Sequence, residues 1–141
     1  MKIKTLSLAA LSLLLFGSCK KDKANSCDKS MAAIAGTYSI TKIEIGSNGN
    51  FVDVDDRDAC EKDDHIVLNQ NGTLQYQDDG ITCDPNGEDS GTWNIDSNGK
   101  ITMSGAGDFY AQTADVTSFD CTNLVITGTE SGIQYRVTFK K

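Results

Sequence analysis

The chain has one proline and one histidine in 141 residues, and no stretch in which apolar residues recur at helical spacing. The absent 3.6-residue period excludes a helical domain, and the shortage of proline leaves strand ladders uninterrupted. With His65 alone, and in a run next to Ile66, a Ser-His-Asp arrangement would depend on one strand residue, and no Gly-x-Ser-x-Gly elbow is present. Phosphate cradles and dinucleotide fingerprints are also missing. The sequence therefore reads as a non-enzyme without a cofactor, with His65 at a strand edge or rim. No Cys-x-x-Cys pair occurs, which argues against a four-cysteine zinc site. The acid-rich "DVDDRDACEKDD", Asp53 to Asp64, lacks the sixth-position glycine of an EF-hand and has Arg57 at a ligand position, so it reads as a solvated acidic loop with no metal. Basic residues are few: 13 Lys+Arg against 20 Asp+Glu give a net charge of −7. No basic stripe with interleaved aromatics offsets that field, which excludes nucleic acid as a partner. No apolar run is long enough to span a membrane. The longest, Leu6 to Phe16, reaches only about 16 Å at roughly 1.5 Å per residue, against a bilayer core of about 30 Å.

What that short run does carry is the order of a secretion signal: Lys2 and Lys4, then the apolar stretch, then Gly17 and Ser18 before Cys19. The segment "LFGSC" resembles the lipobox of bacterial lipoproteins. The resemblance implies that Cys19 is lipidated on sulfur and becomes the new N-terminus, so that the membrane is a partner through that lipid. Several acyl chains anchor stably, since each buried methylene contributes about 0.8 kcal/mol and one chain alone holds only marginally. The expected organisation is a lipoprotein signal peptide over residues 1–18, the lipidated cysteine and a polar tether over 19–30, and one domain over 31–141. Residues 20–30, "KKDKANSCDKS", are polar without periodicity, as a solvated tether is. In some outer-membrane lipoproteins such a charged tract directs surface display, so the expected location is the cell envelope, at the outer membrane. Loss of residues 1–18 removes Lys2 and Lys4 and no acid. The 13 cations fall to 11 against 20 acids, and the mature chain is near −9.

Within the domain, Asn48-Gly49, Asn71-Gly72, Asn86-Gly87 and Asn98-Gly99 fall between alternating runs, and Glu130-Ser131-Gly132 falls between the last two. Asn and Gly tolerate the positive φ of tight primed turns, so these are hairpin signals. Alternation selects Tyr38 and Ile40, Ile66 and Leu68, Leu74 and Tyr76, Trp93 and Ile95, Ile101 and Met103, and Leu124 and Ile126. In the final run Ile133, Tyr135, Val137 and Phe139 face one way, with Gln134, Arg136, Thr138 and Lys140 opposite. Tyr38 and Ile40 are out of phase with Ile43 and Ile45, which predicts a bulge near Thr41 and Lys42. A short strand at Phe51 to Val54 and a run from Phe109 to Val116 bring the count to about eight. The expected fold is all-β, a small antiparallel up-and-down barrel, which also removes exposed edges.

The order of "GTY" (Gly36 to Tyr38), "CEKDD" (Cys60 to Asp64), "QNGTLQY" (Gln70 to Tyr76), "CDPNGEDSGTW" (Cys83 to Trp93) and the ending "IQYRVTF" resembles the lipocalin-like domain of small bacterial lipoproteins. The resemblance spans roughly residues 33 to 139 and implies an antiparallel calyx that binds a small hydrophobic ligand. Lipocalins proper open with Gly-x-Trp, the ring plugging the barrel floor beneath an arginine of the last strand. Gly36 and Tyr38 hold those places here. Arg136 is the candidate partner, although its phase points it outward as an exposed arginine. The inward residues Tyr38, Ile40, Leu68, Tyr76, Trp93, Met103, Phe109, Tyr135 and Phe139 are the candidate pocket walls. They are mostly large, and an eight-stranded barrel is only just wide enough for side chains or one small ligand. The alternative is therefore a filled barrel that acts through its acidic loops on a protein or glycan.

Four cysteines remain besides Cys19, and an exported chain with an even number reads as disulfide-bonded. Three connectivities exist. Cys60 and Cys83 flank the hairpin from His65 to Gln77 on one side, which favours their pairing and leaves Cys27 with Cys121 as a staple between tether and barrel.

Overall fold

A computed structural model describes residues 27–105 and 112–141. Cys19, the tract that follows it and Phe109 lie outside the described residues. The chain runs through α1 (Met31–Ile34), β1 (Gly36–Ser47), β2 (Asn50–Asp53), α2 (Ala59–Lys62), β3 (His65–Leu68), β4 (Thr73–Gln77), β5 (Asp89–Ile95), β6 (Lys100–Ser104), β7 (Gln112–Phe119), β8 (Asn123–Glu130) and β9 (Ile133–Lys140). Strands β3 to β9 pair antiparallel in chain order, β1 pairs with β3, and β9 returns to pair with β1. The result is a closed eight-stranded antiparallel barrel. β2 is a ninth strand outside the ring, hairpin-paired to the far end of β1. The Phe51 to Val54 run is thus an outlying ribbon rather than a stave.

Turn chemistry sets the registers. Asn48-Gly49 (φ 51° and 84°) and Ser131-Gly132 (φ 50° and 83°) occupy the two left-handed positions of two-residue turns. Gly72 and Gly99 take the left-handed position that closes the longer β3–β4 and β5–β6 turns. Asn86-Gly87 is different. It lies inside the 78–88 connection between β4 and β5, and Gly87 has no positive φ. That loop is shaped instead by the Asp78 carboxylate, which accepts from the Cys83 and Gly87 amides at 3.3 and 3.1 Å.

In β1 the register against β9 slips between Ile40 and Lys42, leaving Thr41 as the extra residue, where the change of alternation phase predicts it. A second bulge, not foreseen, falls at Thr117 in β7. Both extra residues are threonine, and each hydroxyl donates to a carbonyl across the ladder, Thr41 to Thr138 at 3.2 Å and Thr117 to Val125 at 3.1 Å. These bulges let Ile40 and Ile43, and likewise Val116 and Phe119, all face inward.

The β3–β4, β5–β6 and β7–β8 turns, α1 and the C-terminus gather at one end of the barrel, which is filled. Ile34, Tyr38, Leu68, Leu74, Trp93, Phe119, Leu124 and Phe139 are buried there, each such side chain contributing about 1.5–3 kcal/mol. Tyr38 meets Phe139 edge-to-face at 6.3 Å and donates its hydroxyl to the Ile34 carbonyl. Trp93 Nε1 donates to the Asn69 carbonyl at 2.8 Å, which satisfies the indole inside the core. The cation over Tyr38 is Lys141, 5.3 Å from the ring, and not Arg136. Cys27 pairs with Cys121 at this end, Cα atoms 5.4 Å apart, and the Cys27 amide donates to the Phe119 carbonyl at 2.9 Å.

Candidate functional site

The opposite end carries the β1–β2 ribbon, the 54–64 segment, the 78–88 loop and the β8–β9 turn, and here the barrel is not filled. A cavity of about 210 Å³ lies between β1, β6, β7, β8 and β9, walled by Ile43, Ile101, Met103, Ala114, Ile126, Tyr135 and Val137, with Gln112 and Glu130 beside them. Almost all of that wall is hydrocarbon. Gln112 Nε2 donates to Glu130 Oε2 at 3.1 Å, so the two polar groups of the wall satisfy each other. Tyr135 takes its place because the residue opposite is Gly128. A Cβ at Gly128 would overlap the Tyr135 ring. Burial pushes the Tyr135 phenol up in pKa, and the charge of Glu130 adds to that.

A second cavity of about 380 Å³ lies on the other side of Ile43, between Ile40 and Tyr76 of the barrel and the loops that carry Asp56, Arg57, Glu61, Asp64 and Pro85. The Cys60–Cys83 pair, Cα atoms 5.3 Å apart, joins the two loops over it. Arg57 is engaged through four of its five N–H groups. Its Nε and Nη2 meet the two Asp55 oxygens at 2.9 Å each, and Nη2 and Nη1 donate to the carbonyls of Ile40 (3.0 Å) and Glu61 (3.1 Å). The bond from Arg57 holds the Asp55 carboxyl below its usual range. Asp64, 5 % exposed, accepts from the Tyr76 hydroxyl at 2.8 Å and the Asp79 amide at 3.1 Å. Burial is the main cause that raises the Tyr76 phenol, and the Asp64 bond acts the same way.

Of the nine candidate walls, Met103 and Tyr135 line the first cavity, and Ile40 and Tyr76 line the second. Tyr38, Leu68, Trp93 and Phe139 sit in the filled end, and Phe109 lies outside the described residues. The lumen is therefore divided, neither filled throughout nor hollow throughout. Residues not singled out as walls are Ile43, Ile101, Ala114, Ile126 and Val137. All but Ala114 lie in the alternating runs, so the signal for their facing was present and only their height in the barrel was not.

Three further expectations change. Alternation puts Ile133 on the inward face of β9, but it is 55 % exposed, because it is the first residue after the β8–β9 turn and stands beyond the rim. Arg136 points outward as its phase requires, yet it is not free in solvent. Glu44 of β1 stands directly opposite it in the β1–β9 ladder, bonded at 2.6 and 2.8 Å, and the β1–β2 ribbon adds the Phe51 ring, 4.2 Å from the guanidinium. Glu44 is only 3 % exposed. Its bonds to Arg136 first and Lys42 second lower its pKa to about 2. The acidic segment is not simply solvated either. Asp55 anchors Arg57, Asp58 and Glu61 form a capping box on α2, and Asp64 is buried. His65 does sit at the rim, its Nδ1 at 2.9 Å from Asp79.

The two cysteine pairs point to an oxidising, extracytoplasmic compartment. No curated protein and no solved structure matches the chain. A family model described as a lipocalin-like domain matches residues 34–126, from the end of α1 into β8. The closed antiparallel barrel extends that pattern through β9, and the chain belongs to the family of lipocalin-like domains.

Proposed function

We propose that the protein is an exported, lipid-anchored barrel that holds a small apolar molecule in the open half of its lumen. The observation that carries this reading is the cavity of about 210 Å³ with hydrocarbon walls above a filled floor. Unfilled apolar space forfeits dispersion contacts, and an apolar guest restores them without any polar group losing a partner. Ligand sites usually run about 300–1,000 Å³. The ligand is accordingly slender, or it continues past Ile43 into the second cavity. Positioning by a preformed floor limits what binding costs in order.

The anchor rests on "LFGSC" before a polar tract, and the two disulfides fit export. Incorporation of labelled palmitate that disappears in Cys19→Ser supports the anchor, and label retained in that variant refutes it. For the cavity, native mass spectrometry of the disulfide-bonded protein after incubation with a lipid extract gives the test. A bound mass of one small molecule, released on unfolding, is expected. A bare protein mass after every incubation overturns the reading.

A further inference from the structure

Resting on that reading, we propose that the ligand is a cationic amphiphile, with its apolar body against Met103, Ala114 and Ile126 and an amine or ammonium head in the outer cavity beside Asp64 and Tyr76. The two cavities share Ile43 as a wall, so they are neighbours separated by one side chain, which the proposed ligand passes on its way from the inner space to the outer one. What it meets there is carboxylate. The outer cavity is lined by Asp56, Glu61 and Asp64, and by one cation, Arg57.

Arg57 does not serve an anionic head. Four of its five N–H directions are spent on Asp55 and on the carbonyls of Ile40 and Glu61, and Asp55 cancels its charge at 2.9 Å. A fatty acid entering here would therefore find no free guanidinium to pair with, and would bring its carboxylate against three others. Asp64 is the opposite case. It is buried, its two hydrogen bonds come from the neutral Tyr76 hydroxyl and Asp79 amide, and among the described residues no cation lies within ion-pair distance of it. A buried carboxylate without a countercharge is costly, and a cation delivered by a ligand offsets that cost. Tyr76 lines the same cavity, and aromatic rings are favourable neighbours for ammonium groups. The net charge of −7 across the chain acts in the same direction over longer range.

Three probes of one tail length separate the possibilities: decyltrimethylammonium, decanol and decanoate, each titrated below its micelle concentration into the full chain carrying Cys19→Ser with both disulfides formed. The expected result is one site at which the ammonium displaces decanol and binds at least about tenfold more tightly than decanoate. Asp64→Asn should narrow the ammonium-to-decanol ratio several-fold. Asp56→Asn, at an exposed position, should narrow it less and avoids any loss of folding from the buried site. Asp115→Asn, which removes an acid paired with Lys100 on the outer barrel wall, should leave the ratio unchanged. Decanoate binding as tightly as the ammonium overturns the charge preference while leaving cavity binding intact. An equal ratio in all four proteins overturns the placement of the head. Failure of all three probes to bind overturns the cavity reading itself.

Discussion

Replacing Cys27 and Cys121 by serine releases a closed loop spanning 94 residues of sequence, whereas replacing Cys60 and Cys83 releases one spanning 23. In the chain-entropy account the two bridges restrict the unfolded state by about 4.7 and about 3.4 kcal/mol respectively. For a domain of this size about 4 °C of melting temperature corresponds to each kcal/mol, so the two double variants should melt lower by about 19 and about 14 °C. Native contacts decide whether the full loss appears. The first bridge is backed by the Cys27 amide on Phe119 and by Lys29 on the Val116 carbonyl, which still hold the segment after the bridge is gone. Cys121 stands at φ 77°, which an L-residue adopts at a cost of about 1–2 kcal/mol. Cys27→Ser with Cys121→Gly should therefore recover part of the loss seen with two serines. Trp93, the single tryptophan and buried in the filled end, reports the unfolding by fluorescence. If the Cys60–Cys83 variant is the less stable of the two, or if neither variant melts lower, the reasoning fails.

Other consequences follow from the outer wall and the lumen. Because the folded Glu44 pKa is lowered from 4.5 to about 2, its contribution is present above pH 4.5 and is lost as pH falls through about 2. Melting temperatures from pH 6 to 2 should drop more steeply for the wild type than for Glu44→Gln, and parallel curves would contradict the pairing with Arg136. Gly128→Ala displaces the Tyr135 ring and should destabilise by about 1–3 kcal/mol in urea titration. Unchanged stability would mean that the ring yields freely. Phe139→Ala, in the filled end, should cost about 3–5 kcal/mol by the same assay, and a cost below about 1 kcal/mol would place the cavity lower in the barrel than described.

Much of the barrel is legible in the chain because the signals are local. Ser131-Gly132 declares its turn by residue type, and the phase change from Ile40 to Ile43 declares the bulge at Thr41. Asn86-Gly87 has the same composition as a tight turn, yet the Asp78 carboxylate and the tie to Cys60 hold that loop open, and neither is a nearest-neighbour effect. Alternation assigns each residue a face but no height. Alternation therefore groups Trp93 and Phe139 with Met103 and Tyr135, although the first two fill the floor and the second two wall the cavity. Height depends on where α1 and the turns close the barrel, which is a property of the whole meander. Arg136 differs for a related reason: its outward direction follows from phase, but its pairing with Glu44 depends on the β1–β9 register that closes the barrel, and its contact with Phe51 on the β1–β2 ribbon that lies over the wall.

Filling the cavity tests the central claim most directly. Ala114 is buried and lines the space, and Ala114→Phe places a ring there without touching the floor or the disulfides. Decanol binding followed by calorimetry should show one site in the parent protein and none in the variant, with both proteins keeping the same near-ultraviolet circular dichroism. Equal binding in the two, with the fold intact, would contradict the account and move the ligand out of the barrel.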